Sequence, residues 1–109
     1  MRLEYYDEGT LKKELKKIIG RHLDLSQYAV FFFGSRVTGN GDDRSDIDVG
    51  IEGMRAVPSD KLWKIRDDIE TLPTLYKLDI VDFSNTSDSF RRVAKNKIEY
   101  INEPKNSPI

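Results

Sequence analysis

The sequence contains no cysteine and a single histidine, His22, among its 109 residues. Without cysteine there is neither a disulfide nor a thiolate metal site. One histidine cannot build a zinc centre of the usual type, and little around it supports a Ser-His-Asp triad. With no second histidine to share a metal or a proton relay, we interpret His22 as an ordinary helix residue, exposed or half-buried.

Long apolar runs are also missing. No stretch approaches the roughly 20 residues of a membrane-spanning helix, and the first residues lack the apolar core of a secretory signal. The net charge of −1 does not demand nucleic acid or a membrane surface as a partner. The length suits one domain with a modest core. We expect a cytoplasmic protein with a single domain over residues 1–101 and a loose tail over residues 102–109.

Two long segments carry apolar residues at helical spacing. The first begins at Thr10 and the second at Ser59, and each of these side chains could accept a backbone hydrogen bond and cap its helix. In the second segment, Trp63 lies beside the apolar stripe and is expected to join the core. A shorter helix is expected after Thr86 or Ser87. Its inward side chains are predicted to be Phe90, Val93 and Ala94.

Strand patterns alternate with these helices. Residues 28–33 form a continuous apolar run, which is typical of a strand covered on both faces. Residues 46–52 alternate between apolar and polar side chains, and residues 76–83 form a third strand. Ile98–Ile101 is expected to add a short edge strand. The whole predicts an α+β domain with a small mixed sheet of three to four strands and helices packed on it.

The second strand carries a pair of carboxylates. Asp46 and Asp48 are two residues apart, so they project from one face of the strand and are close enough to bind one hard cation such as Mg²⁺. A third carboxylate from the next strand, either Asp79 or Asp82, would complete a two-metal arrangement. These two aspartates are three residues apart and point to opposite faces, so only one can join the site.

A possible phosphate-binding turn precedes the carboxylates. Gly34 directly follows the buried strand, and a glycine there lets the backbone amides approach an anion closely. If Ser35 begins a short helical turn, its N–H groups and its hydroxyl favour phosphate. Each feature alone is common, whereas the turn and the carboxylates together are much less common by chance.

The combined pattern resembles a known superfamily. Gly34-Ser35, ten intervening residues and Asp46-Ile47-Asp48 match the GS-x10-DxD signature of the DNA polymerase β-like nucleotidyltransferases. The stretch GSRVTGNGDDRSDIDVGI is similar to the minimal nucleotidyltransferase (MNT) group, which commonly reads GSRARG…SDIDL. The later LDIVDF resembles that group's third strand, and the resemblance implies that Asp79, not Asp82, is the third metal ligand. It also implies the nucleotidyltransferase fold.

The resemblance implies an activity with named participants. ATP and one or two Mg²⁺ ions are expected, with AMP transferred to a hydroxyl and pyrophosphate leaving. Gly34 and Ser35 would hold the phosphates. Because Val37-Thr38 replace the common Ala-Arg, Arg36 and Arg44 are the candidate cations facing the nucleotide.

The same resemblance implies a partner. Proteins of the MNT group are often antitoxins that adenylylate a tyrosine of a HEPN-type toxin encoded beside them, and such a partner, or a second copy of the chain, is expected to supply the acceptor site. Two alternatives stay open: a module that neutralises a HEPN partner by contact alone, and a small-molecule nucleotidyltransferase. Nucleic acid is not expected, because a basic run on a helix is more often a solvated face. That run is Arg91, Arg92, Lys95 and Lys97.

Overall fold

The computed structural model describes residues 3, 6–39 and 45–104. In chain order its elements are α1 (Glu8–Gly20), β1 (Ala29–Phe33), α2 (Ser35–Thr38), β2 (Ile47–Glu52), α3 (Ser59–Ile69), β3 (Leu78–Asp82), a 3-10 turn (Phe83–Asn85), α4 (Asp88–Ala94) and β4 (Glu99–Asn102). The α+β class is thereby confirmed, and β4 reaches one residue into the segment predicted as tail.

The four strands form one mixed sheet in the order β3-β2-β1-β4. β1 is antiparallel to both of its neighbours, β2 and β4, whereas β2 and β3 are parallel. Parallel neighbours need a crossover connection, and α3 supplies it. The expected mixed sheet is confirmed, with β3 and β4 as its edges.

The two faces of the sheet are packed differently. On one face, α1 and α3 bury the main core, to which β2 contributes the side chains Ile47, Val49 and Ile51. The opposite face carries a compact aromatic cluster of Phe31, Phe33 and Phe83. The Phe83 ring packs edge-on against both other rings, with ring centres 4.9 and 4.8 Å away. We call this second face the aromatic face.

The helix starts differ from two of the sequence predictions. α1 is capped by Asp7, whose carboxylate accepts a 2.8 Å hydrogen bond from the Thr10 backbone N–H. The prediction that Thr10 is the cap was therefore wrong. Ser59 is the first residue of α3, and Pro58 holds the capping position. At α4, Ser87 is the cap, one of the two residues that the sequence offered.

Three side chains predicted to be buried are exposed. Trp63 is 67% exposed, and on α4 Phe90 and Val93 are 42% and 77% exposed. Trp63 lies one residue beyond the half-buried Leu62, and this step of about 100° carries it off the buried stripe. α4 has only seven residues and packs on an aromatic face that is already filled, so it buries no side chain fully.

Two side-chain pairs join elements that the sequence left separate. His22 lies just after α1, half-buried, with its Nε2 2.7 Å from the Asp68 carboxylate of α3. Lys95, predicted to point outward, is half-buried and pairs with Glu52 at the end of β2. These contacts fasten α1 to α3 and the end of α4 to the sheet.

Candidate active site

The strand register brings two of the predicted carboxylates side by side. Asp48 on β2 pairs with Asp79 on β3, and on its other side it pairs with Phe33 of β1. Both aspartates therefore project from the aromatic face. Asp46 lies one residue before β2, and its spacing of two from Asp48 places it on the same side.

Asp82 lies elsewhere and has a structural role. It pairs with Ile51, whose side chain is buried in the main core on the opposite face. The Asp82 carboxylate accepts hydrogen bonds from the backbone N–H of Val57 at 2.8 Å and of Ser84 at 2.9 Å. These bonds fasten the loop before α3 and cap the 3-10 turn. Asp79 is thus the third-strand carboxylate that shares a face with Asp48.

Gly34 forms the turn between β1 and α2 in a backbone conformation that only glycine adopts readily. Its φ and ψ are 84° and −162°. A Cβ built on Gly34 would lie less than 3.0 Å from an Asp48 carboxylate oxygen, so the turn backbone is pressed against this carboxylate. The backbone N–H groups of Val37 and Thr38 donate hydrogen bonds to the Gly34 carbonyl. The amide of Ser35 precedes these first internal bonds of α2, at the position where a helix offers its N–H groups to an anion.

Negative charge is concentrated at Asp48. Its pKa is raised above the ordinary 3.8, first by burial and then by the nearby charges of Asp79 and Asp46. A carboxylate with a raised pKa is strained in its ionised form, and a cation bound beside it would relieve that strain. The electrostatics of the site thus favour a positively charged ligand.

The donor chemistry fits Mg²⁺, which prefers carboxylate oxygens and completes its shell with water and phosphate. Residues Asp46, Asp48 and Asp79 offer only such oxygens on one face. Within the described ranges, however, no group of three or more His, Cys, Asp or Glu side chains is gathered closely enough to hold a metal ion by itself. Metal binding therefore stays a prediction that is based on the donor set and its charge.

Of the two arginines predicted to face the nucleotide, Arg36 is among the described residues. Arg36 donates from Nε to the Ser45 carbonyl at 2.8 Å, and its guanidinium lies 4.7 Å from the centre of the Tyr76 ring. It is thus engaged with protein groups beside the turn, contacts that the sequence did not indicate. Arg44 lies outside the described residues, and the nucleotide contact of either arginine stays a prediction.

An open groove of about 420 Å³ runs along the edge strand β3 and reaches Asp79. The exposed Trp63 and the half-buried Leu62 line it from α3, and Arg66 crosses it to donate to the Ile80 carbonyl at 2.8 Å. The sequence did not indicate this groove. The only available signal was that Trp63 stands beside the apolar stripe of α3 rather than on it.

Residues 13–106 match the family model described as polymerase beta, nucleotidyltransferase. The chain therefore belongs to the polymerase beta nucleotidyltransferase family, as its GS-x10-DxD pattern predicted. No curated protein sequence matches it. Among the described residues, no helix is both long and apolar enough to cross a membrane.

Solved structures with a similar fold come from toxin–antitoxin complexes. A chain of a toxin–antitoxin complex with AMP-PNP is 16% identical, with a TM-score of 0.66 over 83% of this chain and 71% of that one. A chain of a mutant MntA–HpeT complex is 13% identical, with a TM-score of 0.65 over 83% of this chain and 71% of that one. A chain of a complex of tri-AMPylated HEPN toxin from Shewanella oneidensis with an MNT antitoxin is also 13% identical. Its TM-score is 0.65 over 87% of this chain and 71% of that one. At these identities the likeness establishes the nucleotidyltransferase fold.

Proposed function

We propose that the protein is a Mg²⁺-dependent adenylyltransferase that moves AMP from ATP to a tyrosine hydroxyl of a HEPN-type partner protein. The observation that carries the proposal is the register of β2 and β3, which aligns Asp48 with Asp79 beside the Gly34 turn. Family membership supports nucleotidyl transfer. The AMP-PNP and the tri-AMPylated HEPN toxin of the structural neighbours support the choice of nucleotide and acceptor.

Each part of the site has a role in this reaction. Asp46, Asp48 and Asp79 would hold the metal, which supplies positive charge to the phosphates as negative charge develops on them. The amides of the Gly34-Ser35 turn would hold the β- and γ-phosphates. The acceptor oxygen would bond to the α-phosphorus while the bond between this phosphorus and the oxygen of the β-phosphate breaks, and pyrophosphate leaves. The proton of the acceptor hydroxyl would pass to Asp79, which is exposed at the strand edge.

The groove beside Asp79 is the route that we propose for the acceptor. Asp79, the residue that would take the proton, is part of its lining, and the groove carries an exposed indole that can stack on an aromatic acceptor side chain. Trp63→Ala should therefore raise the KM for the partner protein about tenfold, at the scale of one aromatic contact, and leave the KM for ATP unchanged.

The test is transfer of label from α-³²P-ATP to a HEPN-type protein encoded beside this chain, with Mg²⁺ present. We expect labelled partner with wild type, and none with γ-³²P-ATP. Asp48→Asn and Asp79→Asn should each lower transfer by at least about 100-fold, the scale on which removal of a charge-stabilising group acts. Asp67→Asn is the matched control, because it makes the same change at an exposed aspartate of α3 and should transfer normally.

Two outcomes would contradict the proposal. If wild type labels no partner although the partner is folded and forms a complex with it, the chain acts by contact alone. If isolated aminoglycosides accept AMP and the partner protein does not, the chain is a small-molecule enzyme. Calorimetry with ATP gives an independent measurement, since nucleotide binding should require both Mg²⁺ and Asp48.

A further inference from the structure

One side chain connects the three segments that carry the candidate site. Arg36 follows the Gly34-Ser35 turn directly. Its Nε donates to the carbonyl of Ser45, the residue before Asp46, at 2.8 Å. Its guanidinium lies over the ring of Tyr76, 4.7 Å from the ring centre. Tyr76 belongs to the segment that leads into β3 and Asp79.

The backbone joins two of these segments again at the same place. The Lys77 carbonyl accepts a 2.8 Å hydrogen bond from the N–H of Ile47, the residue between Asp46 and Asp48. Tyr76 is thus adjacent to Lys77, whose carbonyl is hydrogen-bonded to β2. The contact between Arg36 and the Tyr76 ring therefore links the turn to this hydrogen-bonded part of the sheet. An arginine suits this position, because its planar group can stack on a ring while its N–H groups donate in the plane.

We propose that Tyr76 is a positioning residue that acts through Arg36. The two residues form a clamp that holds the phosphate turn at a fixed place relative to Asp48 and Asp79. The inference rests on the proposed function for its kinetic consequence. Its structural consequence, an ordered turn, is independent of that function.

The turn needs such a restraint. Gly34 has a φ of +84°, which glycine adopts readily, and without a side chain its backbone can also leave this conformation readily. The like charges of Asp48 and Asp79 also repel each other across the strand pair. A stacked and hydrogen-bonded arginine is therefore well suited to fix the geometry of this part of the site.

The first test is hydrogen–deuterium exchange of the free protein. Tyr76→Leu removes the ring, Tyr76→Phe keeps it, and Leu75→Ala changes an adjacent residue that is 97% exposed. With Tyr76→Leu, the amides of 34–38 and 45–48 should exchange about two- to fivefold faster, the factor for about 0.5–1 kcal/mol of cation–π attraction at exposed sites. Tyr76→Phe and Leu75→Ala should match wild type. Unchanged exchange in Tyr76→Leu overturns the clamp.

Arg36→Lys gives a second variant, in which a cation remains but cannot both stack and donate to the Ser45 carbonyl. It should accelerate exchange at the same amides, and the double variant Arg36→Lys/Tyr76→Leu should be no faster than Arg36→Lys alone. Groups that act as one unit give such non-additive effects. Additive effects would show that the two residues act separately and would contradict the proposal.

Steady-state kinetics with the partner protein then separate positioning from binding. A clamp orients the turn for the reaction, so Tyr76→Leu and Arg36→Lys should lower kcat about tenfold with less than about twofold change in the KM for ATP. If Arg36 instead bound the nucleotide independently of Tyr76, only its own substitution would raise this KM, and the clamp would be refuted. If wild type transfers no AMP but the exchange results hold, the proposed function fails and the clamp stands.

Discussion

Asp48→Asn should make the folded protein more stable at neutral pH. Asp48 is paired in register with Asp79, has Asp46 two residues away on its own chain, and is half-buried against the Gly34 turn. Its ionised form is therefore disfavoured by burial and by two like charges. Asparagine keeps the shape and removes the charge, so the repulsion should vanish without a cavity or a clash.

The size of the effect follows from these neighbours. A cross-strand pair of charges contributes about 0.2–1 kcal/mol, and like charges act against stability. With one directly paired aspartate and one on the same strand, we expect Asp48→Asn to raise the free energy of unfolding by about 1 kcal/mol. In a domain of this size that corresponds to an increase of about 4–8 °C in Tm.

The pH dependence has a definite sign. Because the pKa of Asp48 is raised in the folded protein above the ordinary 3.8, the folded state binds more protons than the unfolded chain just above that pH. The contribution of Asp48 to the free energy of unfolding of wild type therefore falls as the pH rises above 3.8 through the raised pKa. The advantage of Asp48→Asn should be near zero below about pH 3.8 and reach its full value at neutral pH.

Urea unfolding at pH 7 without divalent cations measures the effect, and Asp67→Asn serves as the control, expected to stay within about 0.5 kcal/mol of wild type as a surface substitution. Asp79→Asn should also stabilise. The double variant should gain less than the sum of the two, because either substitution removes the shared repulsion. A wild-type protein that is more stable than Asp48→Asn at pH 7 and low salt would refute the electrostatic account of the site.

The remaining predictions concern stability and are measured by the same urea titration. Gly34→Ala should cost about 3 kcal/mol, from its backbone conformation and the clash with the carboxylate, whereas Gly39→Ala, with a φ of +85° but no described atom within 4 Å of its Cβ, should cost about 1 kcal/mol. Gly50→Ala should cost about 2 kcal/mol through overpacking against Phe31, and adding Phe31→Leu should recover part of that. Asn102→Ala should cost about 2 kcal/mol, because its amide donates to two backbone carbonyls at 2.9 Å. Equal costs at the two turn glycines, or a neutral Asn102→Ala, would contradict these assignments.

Much of the candidate site could be predicted from the sequence because strand periodicity is rigid. A spacing of two places side chains on one face and a spacing of three on opposite faces, so only one of Asp79 and Asp82 could join the site, and the resemblance to the MNT group implied Asp79. The apolar run before Gly34 similarly predicted a strand covered on both faces, and β1 indeed contributes buried side chains to the main core and to the aromatic cluster. The sequence did not show that Asp48 and Asp79 are directly paired, since register between distant strands depends on the crossover through α3.

The exposure of Phe90 could not be predicted, because periodicity shows which side of a helix is apolar and not whether anything covers it. Phe90 belongs to the apolar side of α4 but lies at the rim of a filled face, whereas Trp63 stands beside the stripe of α3 and lies over a groove. The contacts of Arg36 were missed for a related reason. A stacked arginine leaves no periodic signal, and its partners Ser45 and Tyr76 are nine and 40 residues further along the chain.

The division between the two faces explains how the protein can tolerate a cluster of like charges. The main core lies on the opposite face between the sheet and the helices α1 and α3, so substitutions at the carboxylates do not disturb it. On the aromatic face, Phe33 lies beside Asp48 in the register and packs on Phe83, which gives this end of the sheet its own apolar support. The carboxylates can therefore be held in an unfavourable arrangement whose strain a bound cation would relieve. The same reasoning requires wild type to gain more stability from added Mg²⁺ than Asp48→Asn does. Equal gains would mean that the carboxylates do not bind the ion.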